Sequence, residues 1–340
     1  MDEPRRIACF HLNQIGDLLF ALPAIRGLRE RYPQARITSI ARPYLKDLLR
    51  LSGLVDEVIE RARRPIGAGF RLAAELRRAD YDLAVIFSTS LGMAVLARIT
   101  GAPVRVGFDH PVSRLFVTKR VPSEGPPSML NNFRLMEAIG CPVTKRDYVG
   151  LIHPGQAERD EAESVLRSAG IGADEPFAVL SPGASGRREI KCWSAEGFAR
   201  VADGIARELG IRSVVVGLGS DFGICGLSAN AVNLVGRTPL STLAVVLERA
   251  RVFIGVDSGV MHLAAAMRAP VVALFGPSDP EITGPLGEKH RIVSADVPCR
   301  PCHLSRCDRG LECMTAITPE MVLEAAAEQA GSQGRPCESA

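Results

Sequence analysis

The chain has 340 residues, 46% of them hydrophobic and 23% charged, which is ordinary for a soluble globular protein. One core rarely holds this many residues, so two domains of about 150 residues each are expected. The net charge of +3 argues against a nucleic-acid partner, and no window approaches the ~18 uninterrupted apolar residues of a membrane-spanning helix. The N-terminal residues contain acids and no long apolar run, so no secretory signal is expected and the cytoplasm is the default location.

The charge is unevenly distributed. Residues 1–150 contain 23 Lys and Arg against 15 Asp and Glu, a net of +8, whereas the remainder contains 18 against 23, a net of −5. A basic N-terminal half fits an anionic partner or an anionic membrane surface. Solvated helix faces such as residues 71–80 explain it equally well.

Short apolar runs alternate with amphipathic runs, which is typical of α/β domains with parallel sheets. In the first half the predicted strands are 6–12, 35–43, 55–60, 81–87 and 104–108, and the predicted helices are 16–33, 67–79, 90–101 and 133–140. A charged helix bracketed by Gly and Pro, over residues 149–176, indicates a boundary.

The α/β pattern then restarts. Strands are predicted at 177–183, 212–219 and 231–236, helices at 194–210, 239–250 and 318–330, and a strand–turn–helix–strand unit at 252–280. Ser194 and Thr318 are the expected N-caps. The sequence therefore predicts two doubly wound, Rossmann-like domains, 1–155 and 156–330, with ligands bound at the carboxyl ends of the strands. The last helix could pack back on the N-terminal domain, and residues 331–340 read as a flexible tail.

The first polar strand end is the segment 11–17, with Gly16 and Asp17. Gly16 permits a tight turn, and Asp17 begins a helix. An acid at this position is favoured by the helix dipole alone. It is equally a carboxylate at the ligand edge, able to take a proton from a nucleophilic hydroxyl.

The second polar strand end is the segment 181–193. Gly183 and Ser185 follow a strand and offer unhindered backbone N–H groups, which is a phosphate-binding device. Lys191 adds a compact positive charge that can meet phosphate, or else is a solvated loop lysine. Trp193, the only Trp, is expected to be a packing anchor.

The third is the turn Asp257–Ser258–Gly259, which ends a strand and begins a helix. Free N–H groups and the positive end of the helix dipole make an anion site there. Asp257 would repel a phosphate dianion unless it caps the helix or accepts a ligand hydroxyl. His262 lies in the first turn, where a lone His is more often a core or capping residue than a ligand.

Two other ligand-binding or catalytic motifs are absent from the sequence. The segment 217–223 lacks the G-x-G-x-x-G of a dinucleotide site because position 222 is Phe, and the segment 255–259 is not G-x-S-x-G. Four of nine cysteines are clustered, at Cys299, Cys302, Cys307 and Cys313. This spacing is not that of a standard zinc finger, so bound zinc, reduced structural thiols and a local disulfide all stay open.

Taken together, these motifs resemble those of glycosyltransferase family 9, the ADP-heptose:lipopolysaccharide heptosyltransferases. Four stretches carry the match, at 15–33, 182–202, 256–280 and 313–322. The resemblance implies a GT-B architecture, with two Rossmann-like domains facing a central cleft, the acceptor in the first and the nucleotide sugar in the second. It also implies inverting transfer without a metal or other cofactor.

The resemblance assigns roles to individual residues. Asp17 stands where the family has its catalytic base, and Lys191 where it has a phosphate-binding lysine. Asp257, Ser258, Gly259 and His262 match its donor motif, and Asp221 is a loosely aligned candidate for the ribose hydroxyls. The implied acceptor is the anionic core of lipopolysaccharide, which makes peripheral contact with the inner membrane plausible. Another nucleotide sugar, a nucleotide-sugar epimerase or hydrolase, and a non-catalytic binding protein are the alternatives.

Overall fold

A computed structural model describes residues 3–11, 14–61, 66–125, 128–184, 189–218, 223–302, 304 and 306–331. The chain divides into two compact units, Met1–His153 and Pro154–Ala340. The predicted tail falls outside the described residues from position 332 onwards.

The first unit is one sheet of six parallel strands with helices between them. Its strands are β1 (Arg6–Phe10), β2 (Arg36–Ala41), β3 (Glu57–Glu60), β4 (Leu83–Ile86), β5 (Val104–Phe108) and β6 (Lys119–Val121), in the spatial order β3-β2-β1-β4-β5-β6. Its helices are α1 (Ile15–Arg31), α2 (Lys46–Leu51), α3 (Ile66–Arg78), α4 (Leu91–Ile99) and α5 (Ser128–Ala138). The central strands β1 and β4 are buried along almost their whole length, which explains their apolar sequences.

The second unit repeats the same strand order. Its strands are β7 (Phe177–Ser181), β8 (Arg212–Val215), β9 (Ala231–Asn233), β10 (Val252–Val256), β11 (Val271–Leu274) and β12 (His290–Val293), arranged β12-β11-β10-β7-β8-β9 and all parallel. Its helices are α6 (Gln156–Ser168), α7 (Ala195–Leu209), α8 (Ile224–Leu227), α9 (Leu240–Arg249), α10 (Gly259–Ala266), α11 (Pro280–Thr283), α12 (Glu312–Thr315) and α13 (Pro319–Gly331). The predicted α/β class with two doubly wound sheets is confirmed.

In each sheet the order in which the chain adds strands reverses at one point, between two neighbouring central strands. From β1 the chain continues outward to β2 and β3, and then crosses to β4 on the other side of β1. The same reversal occurs in the second sheet between β7 and β10. Such a switch point leaves a crevice outside the carboxyl ends of the two strands, because the helices that follow them lie on opposite faces.

Two short outer strands, β6 and β12, were not predicted from the sequence. Both carry charged or polar residues, Lys119 and Arg120 in β6 and His290 and Arg291 in β12, and both lie at a sheet edge where one side has no neighbour. Their sequences therefore lack the apolar run that marks the buried central strands.

The last helix packs against the core of the second unit. Val322 and Ala326 are fully buried in the same core cluster as β10 and α7. The predicted cap is present, since the Thr318 Oγ1 accepts a hydrogen bond from the Met321 N–H at 3.4 Å. No helix among the described residues is long and apolar enough to span a membrane.

Candidate active site

Asp17 lies at the switch point of the first sheet. It is the third residue of α1, directly after β1, and its side chain is partly exposed. Partial burial of the phenol raises the pKa of Tyr44, the Arg42 charge lowers it, and the Asp17 carboxylate makes a smaller raising contribution. The structure thus places Asp17 near the carboxyl end of the central strand β1. At this position its carboxylate can interact with the positive end of the α1 dipole, and it can also act as a base.

His11 directly follows β1 and helps to fix this edge. Its ring stacks on Phe87 with the centroids 5.4 Å apart, and its Nε2 lies 3.1 Å from the Ser39 hydroxyl. Burial lowers the pKa of His11 from 6.5 to about 3, so the imidazole is neutral. The ring therefore acts as a packing element between the ends of β1 and β4.

The second unit brings Lys191 and Asp257 together at its switch point. Lys191 follows β7 in a single 3₁₀ turn, and Asp257 follows the neighbouring strand β10. The Lys191 Nζ donates a hydrogen bond to the Asp257 Oδ2, and both side chains are about nine-tenths buried. Lys191 is therefore buried and ion-paired, which excludes the alternative interpretation that it is a solvated loop lysine.

The ion pair explains why an acid can stand beside an anion site. Asp257 does not cap α10; that role belongs to Ser258, whose Oγ accepts a hydrogen bond from the Met261 N–H at 3.4 Å. The Asp257 charge is balanced by Lys191 instead. The turn thus combines the positive charge of Lys191 with the N–H groups that every helix start leaves without helical partners.

Of the other residues predicted to bind the nucleotide-sugar donor, some lie in the described part of the chain and some do not. Gly183, partly buried after β7, and Gly259, the first residue of α10, lie at the same edge of the sheet as Asp257. Ser185 and Asp221 fall outside the described residues, so their roles stay predictions.

Trp193 is a packing anchor, as predicted. Its Nε1–H donates to the Ile317 carbonyl at 3.1 Å, and its ring meets Phe198 edge-on at 5.1 Å. Ser194 caps α7 by accepting a hydrogen bond from the Gly197 N–H at 3.0 Å. A side chain at Gly197 would meet the indole at 2.7 Å, so α7 needs a glycine there to let Trp193 pack two residues from Lys191.

Sequence reasoning missed Thr283, at the end of α11. Its Oγ1 lies 3.4 Å from the Asp257 Oδ2. Since the two residues are far apart in sequence and α11 is only one turn long, no local pattern could have indicated this contact.

The four clustered cysteines lie in the segment after β12, and Cys313, the last of them, is in α12. Cys313 is buried, and the pKa of its thiol is raised by burial first and then by Cys299, Cys302 and Cys307. All four are free thiols in the structure. Over the described ranges no group of three or more His, Cys, Asp or Glu side chains is placed to hold a metal ion, and His303 in this segment lies outside those ranges.

His262 is buried in the first turns of α10, next to the ion pair. Burial lowers its pKa from 6.5 to about 4, with a smaller raising effect of Asp257 and a lowering effect of Lys191. The ring is therefore neutral at pH 7 and adds no positive charge to the site.

This burial predicts a pH-dependent stability. Below pH 6.5 the unfolded chain binds a proton at this histidine, whereas the folded chain does so only near pH 4. The free energy of unfolding should therefore fall as the pH falls through this window, by up to about 1.4 kcal/mol per pH unit. Urea unfolding at pH 7.5 and pH 5 should show a smaller pH effect in His262→Gln. The exposed His153 provides the control His153→Gln, and an unchanged pH effect in His262→Gln would contradict the assignment.

Comparison with known proteins gives a consistent result. Residues 69–311, more than half of the chain, match the family model "Glycosyltransferase family 9 (heptosyltransferase)". Lipopolysaccharide heptosyltransferase 2 of Escherichia coli (strain K12) is 25% identical, over 91% of this chain and 94% of that protein. Lipopolysaccharide heptosyltransferase 3 of Escherichia coli is 29% identical, over 78% of this chain and 81% of its own length.

The solved structure of E. coli ADP-heptose lipopolysaccharide heptosyltransferase II has a TM-score of 0.80 at 23% identity, covering 97% of this chain and all of that chain. A family 9 glycosyltransferase from Veillonella parvula DSM 2008 has a TM-score of 0.81 at 24% identity, over 96% and 97% of the two chains. The GT-B fold expected from the sequence is confirmed. The chain belongs to glycosyltransferase family 9, the heptosyltransferase family.

Proposed function

We propose that this glycosyltransferase moves a heptose from ADP-heptose to an acceptor in the inner core of lipopolysaccharide, with inversion and without a metal ion. The observation that carries the proposal is the buried Lys191–Asp257 pair beside the start of α10, at the switch point of the second sheet. The names of the relatives support heptose as the transferred sugar and lipopolysaccharide as the acceptor. One related solved structure is named for ADP-heptose, which supports the donor.

The chemistry assigned to the second unit is stabilisation of the leaving diphosphate. As the bond between the anomeric carbon and the diphosphate oxygen breaks, its electron pair stays on ADP and negative charge grows there. The Lys191 ammonium and the N–H groups of Ser258 and Gly259 are the donors that meet that charge. They supply the positive field that other transferases take from a metal ion, which is the physical support for metal-independent transfer.

The chemistry assigned to the first unit is activation of the acceptor. The acceptor hydroxyl oxygen forms the new bond to the anomeric carbon from the face opposite the diphosphate, and Asp17 takes its proton. Attack from that face gives inversion. A carboxylate is effective as a base when it lies within about 3 Å of the hydroxyl.

An anionic acceptor at a membrane fits the surface of the first unit. Tyr44, Phe70 and Leu91 are exposed apolar side chains in segments that follow the carboxyl ends of β2, β3 and β4, and therefore lie towards the Asp17 edge of the sheet. The exposed Arg71 lies beside Phe70. Exposed apolar groups together with arginine suit peripheral contact with an anionic lipid surface.

The decisive experiment is transfer from ADP-heptose to a truncated-core acceptor presented in anionic vesicles. Product should form at the same rate with and without EDTA, and the rate should fall as salt is raised, since screening weakens the surface attraction. Loss of activity with EDTA would contradict metal-independent transfer. A panel of other nucleotide sugars tests the donor, and consumption of donor without acceptor would instead indicate an epimerase or hydrolase.

The base assignment predicts that Asp17→Asn lowers kcat by a factor of about 10² to 10⁴ while ADP affinity is kept, because only proton removal is lost. Steady-state kinetics and calorimetry measure the two quantities. Asp47, in the first turn of α2, is a matched control because Asp47→Asn also removes an acid from a helix start. Near wild-type turnover in Asp17→Asn would leave only the dipole role.

The phosphate assignment predicts that Lys191→Ala weakens ADP binding by about 2 kcal/mol, the value of a hydrogen bond to a charged group. It should also destabilise the fold by about 3–5 kcal/mol, because Asp257 is left buried without its counter-charge. The double variant Lys191→Met with Asp257→Asn should regain stability but not ADP affinity. Calorimetry with the exposed-lysine control Lys289→Ala tests this, and wild-type ADP affinity in both Lys191 variants would remove Lys191 from the site.

A further inference from the structure

The Thr283 hydroxyl lies within hydrogen-bond distance of two acceptors. Its Oγ1 lies 3.4 Å from the Asp257 Oδ2 and 3.3 Å from the backbone carbonyl of Asp279. A hydroxyl carries one proton and donates it to one acceptor at a time. The carbonyl, four residues back along α11, is the usual local partner of a helical threonine, whereas the carboxylate is the stronger acceptor because it is charged.

Asp257 needs a second donor if Lys191 is to act on a ligand. The carboxylate is buried, and in this structure its charge is balanced by the Lys191 ammonium. When Lys191 also donates to a diphosphate, its positive charge is shared and Asp257 loses part of that compensation. An uncompensated buried carboxylate is strongly unfavourable, and this cost would count directly against binding of the donor.

We propose that Thr283 is a positioning residue for the nucleotide-sugar donor: its hydroxyl holds and compensates the Asp257 carboxylate when Lys191 engages the diphosphate. The inference rests on the proposed function, which makes Lys191 a ligand of the diphosphate. Thr283 acts through Asp257 and need not touch the donor.

The segment that carries Thr283 is held in place on its N-terminal side. The Asp279 Oδ1 accepts a hydrogen bond from the Glu281 N–H at 2.9 Å and so caps α11. The Arg300 side chain donates to the Gly276 carbonyl at 3.0 Å and to the Ser278 carbonyl at 3.5 Å. Since α11 and the loop before it are fixed by these contacts, the hydroxyl is preorganised and little entropy is lost when it turns to Asp257.

The cysteine-rich segment contributes to the same support. The Cys302 N–H donates to the Pro277 carbonyl at 2.8 Å. A side chain at Gly276 would meet the Cys313 Sγ at 3.2 Å, so this segment packs directly under the loop after β11. The clustered cysteines thus help to place the turn on which Thr283 stands.

The experiment compares Thr283→Val, Thr283→Ala and Thr283→Ser by calorimetry with ADP and by steady-state kinetics. Both variants without the hydroxyl should bind ADP about tenfold more weakly, the effect of a lost hydrogen bond to a charged group. The KM for the donor should rise and the KM for the acceptor should not change. Thr283→Ser, which keeps the hydroxyl, should restore most of the affinity.

A double-mutant cycle with Asp257→Asn tests whether the effect passes through Asp257. With no charge to compensate, Thr283→Val should cause no further loss of ADP affinity in that background. Thr242 provides a matched control, because its Oγ1 donates to the Glu161 Oε2 at 2.7 Å in the same unit. Thr242→Val should lower thermal stability without changing ADP affinity.

The outcomes separate this inference from the function on which it rests. If the wild type binds ADP and the Thr283 variants bind it equally well, or if Thr283→Ser is as weak as Thr283→Val, the positioning role is overturned alone. The same holds if Thr283→Val still weakens binding tenfold in Asp257→Asn. If the wild type binds neither ADP nor ADP-heptose, the proposed function fails and this inference fails with it.

Discussion

The second unit depends on one buried ion pair, Lys191 with Asp257. Removing two charges from water costs several kcal/mol for each ion, and only close pairing offsets this. The pair links the 3₁₀ turn that holds Lys191 to the residue that directly follows β10, beside the switch point. Its neighbours are consistent with this arrangement. Ser258 satisfies the helix start, and His262 stays neutral, so the local charge is nearly balanced until an anion arrives.

The same strand order in both units gives each of them one polar edge. Parallel strands buried on both faces are apolar throughout, so polar groups accumulate in the loops at their ends. At the switch point those loops diverge and leave space for a ligand. The first unit carries a carboxylate there, Asp17, and the second a lysine beside a helix start. Proton removal and stabilisation of a leaving diphosphate are thus assigned to equivalent places in two copies of one architecture.

Much of the fold could be predicted because its signals are local. The buried runs at 81–87 and 252–256 predicted central strands, and Ser194 correctly marked the start of α7. The edge strands β6 and β12 were missed because half-open strands tolerate charge. The surface against which α13 packs could not be predicted for a related reason. An amphipathic helix shows that one face is buried, but not which surface covers it.

The sequence by itself determined the class of each domain, the polar strand ends and the family resemblance, because periodicity and motif spacing are properties of neighbouring residues. Only the tertiary structure decided that Lys191 is buried and paired, that Asp257 is its counter-charge rather than a cap, and that Thr283 reaches the same carboxylate. These contacts join residues 66 and 26 positions apart. Their energies depend on burial and distance, and both exist only once the strands have assembled into a sheet.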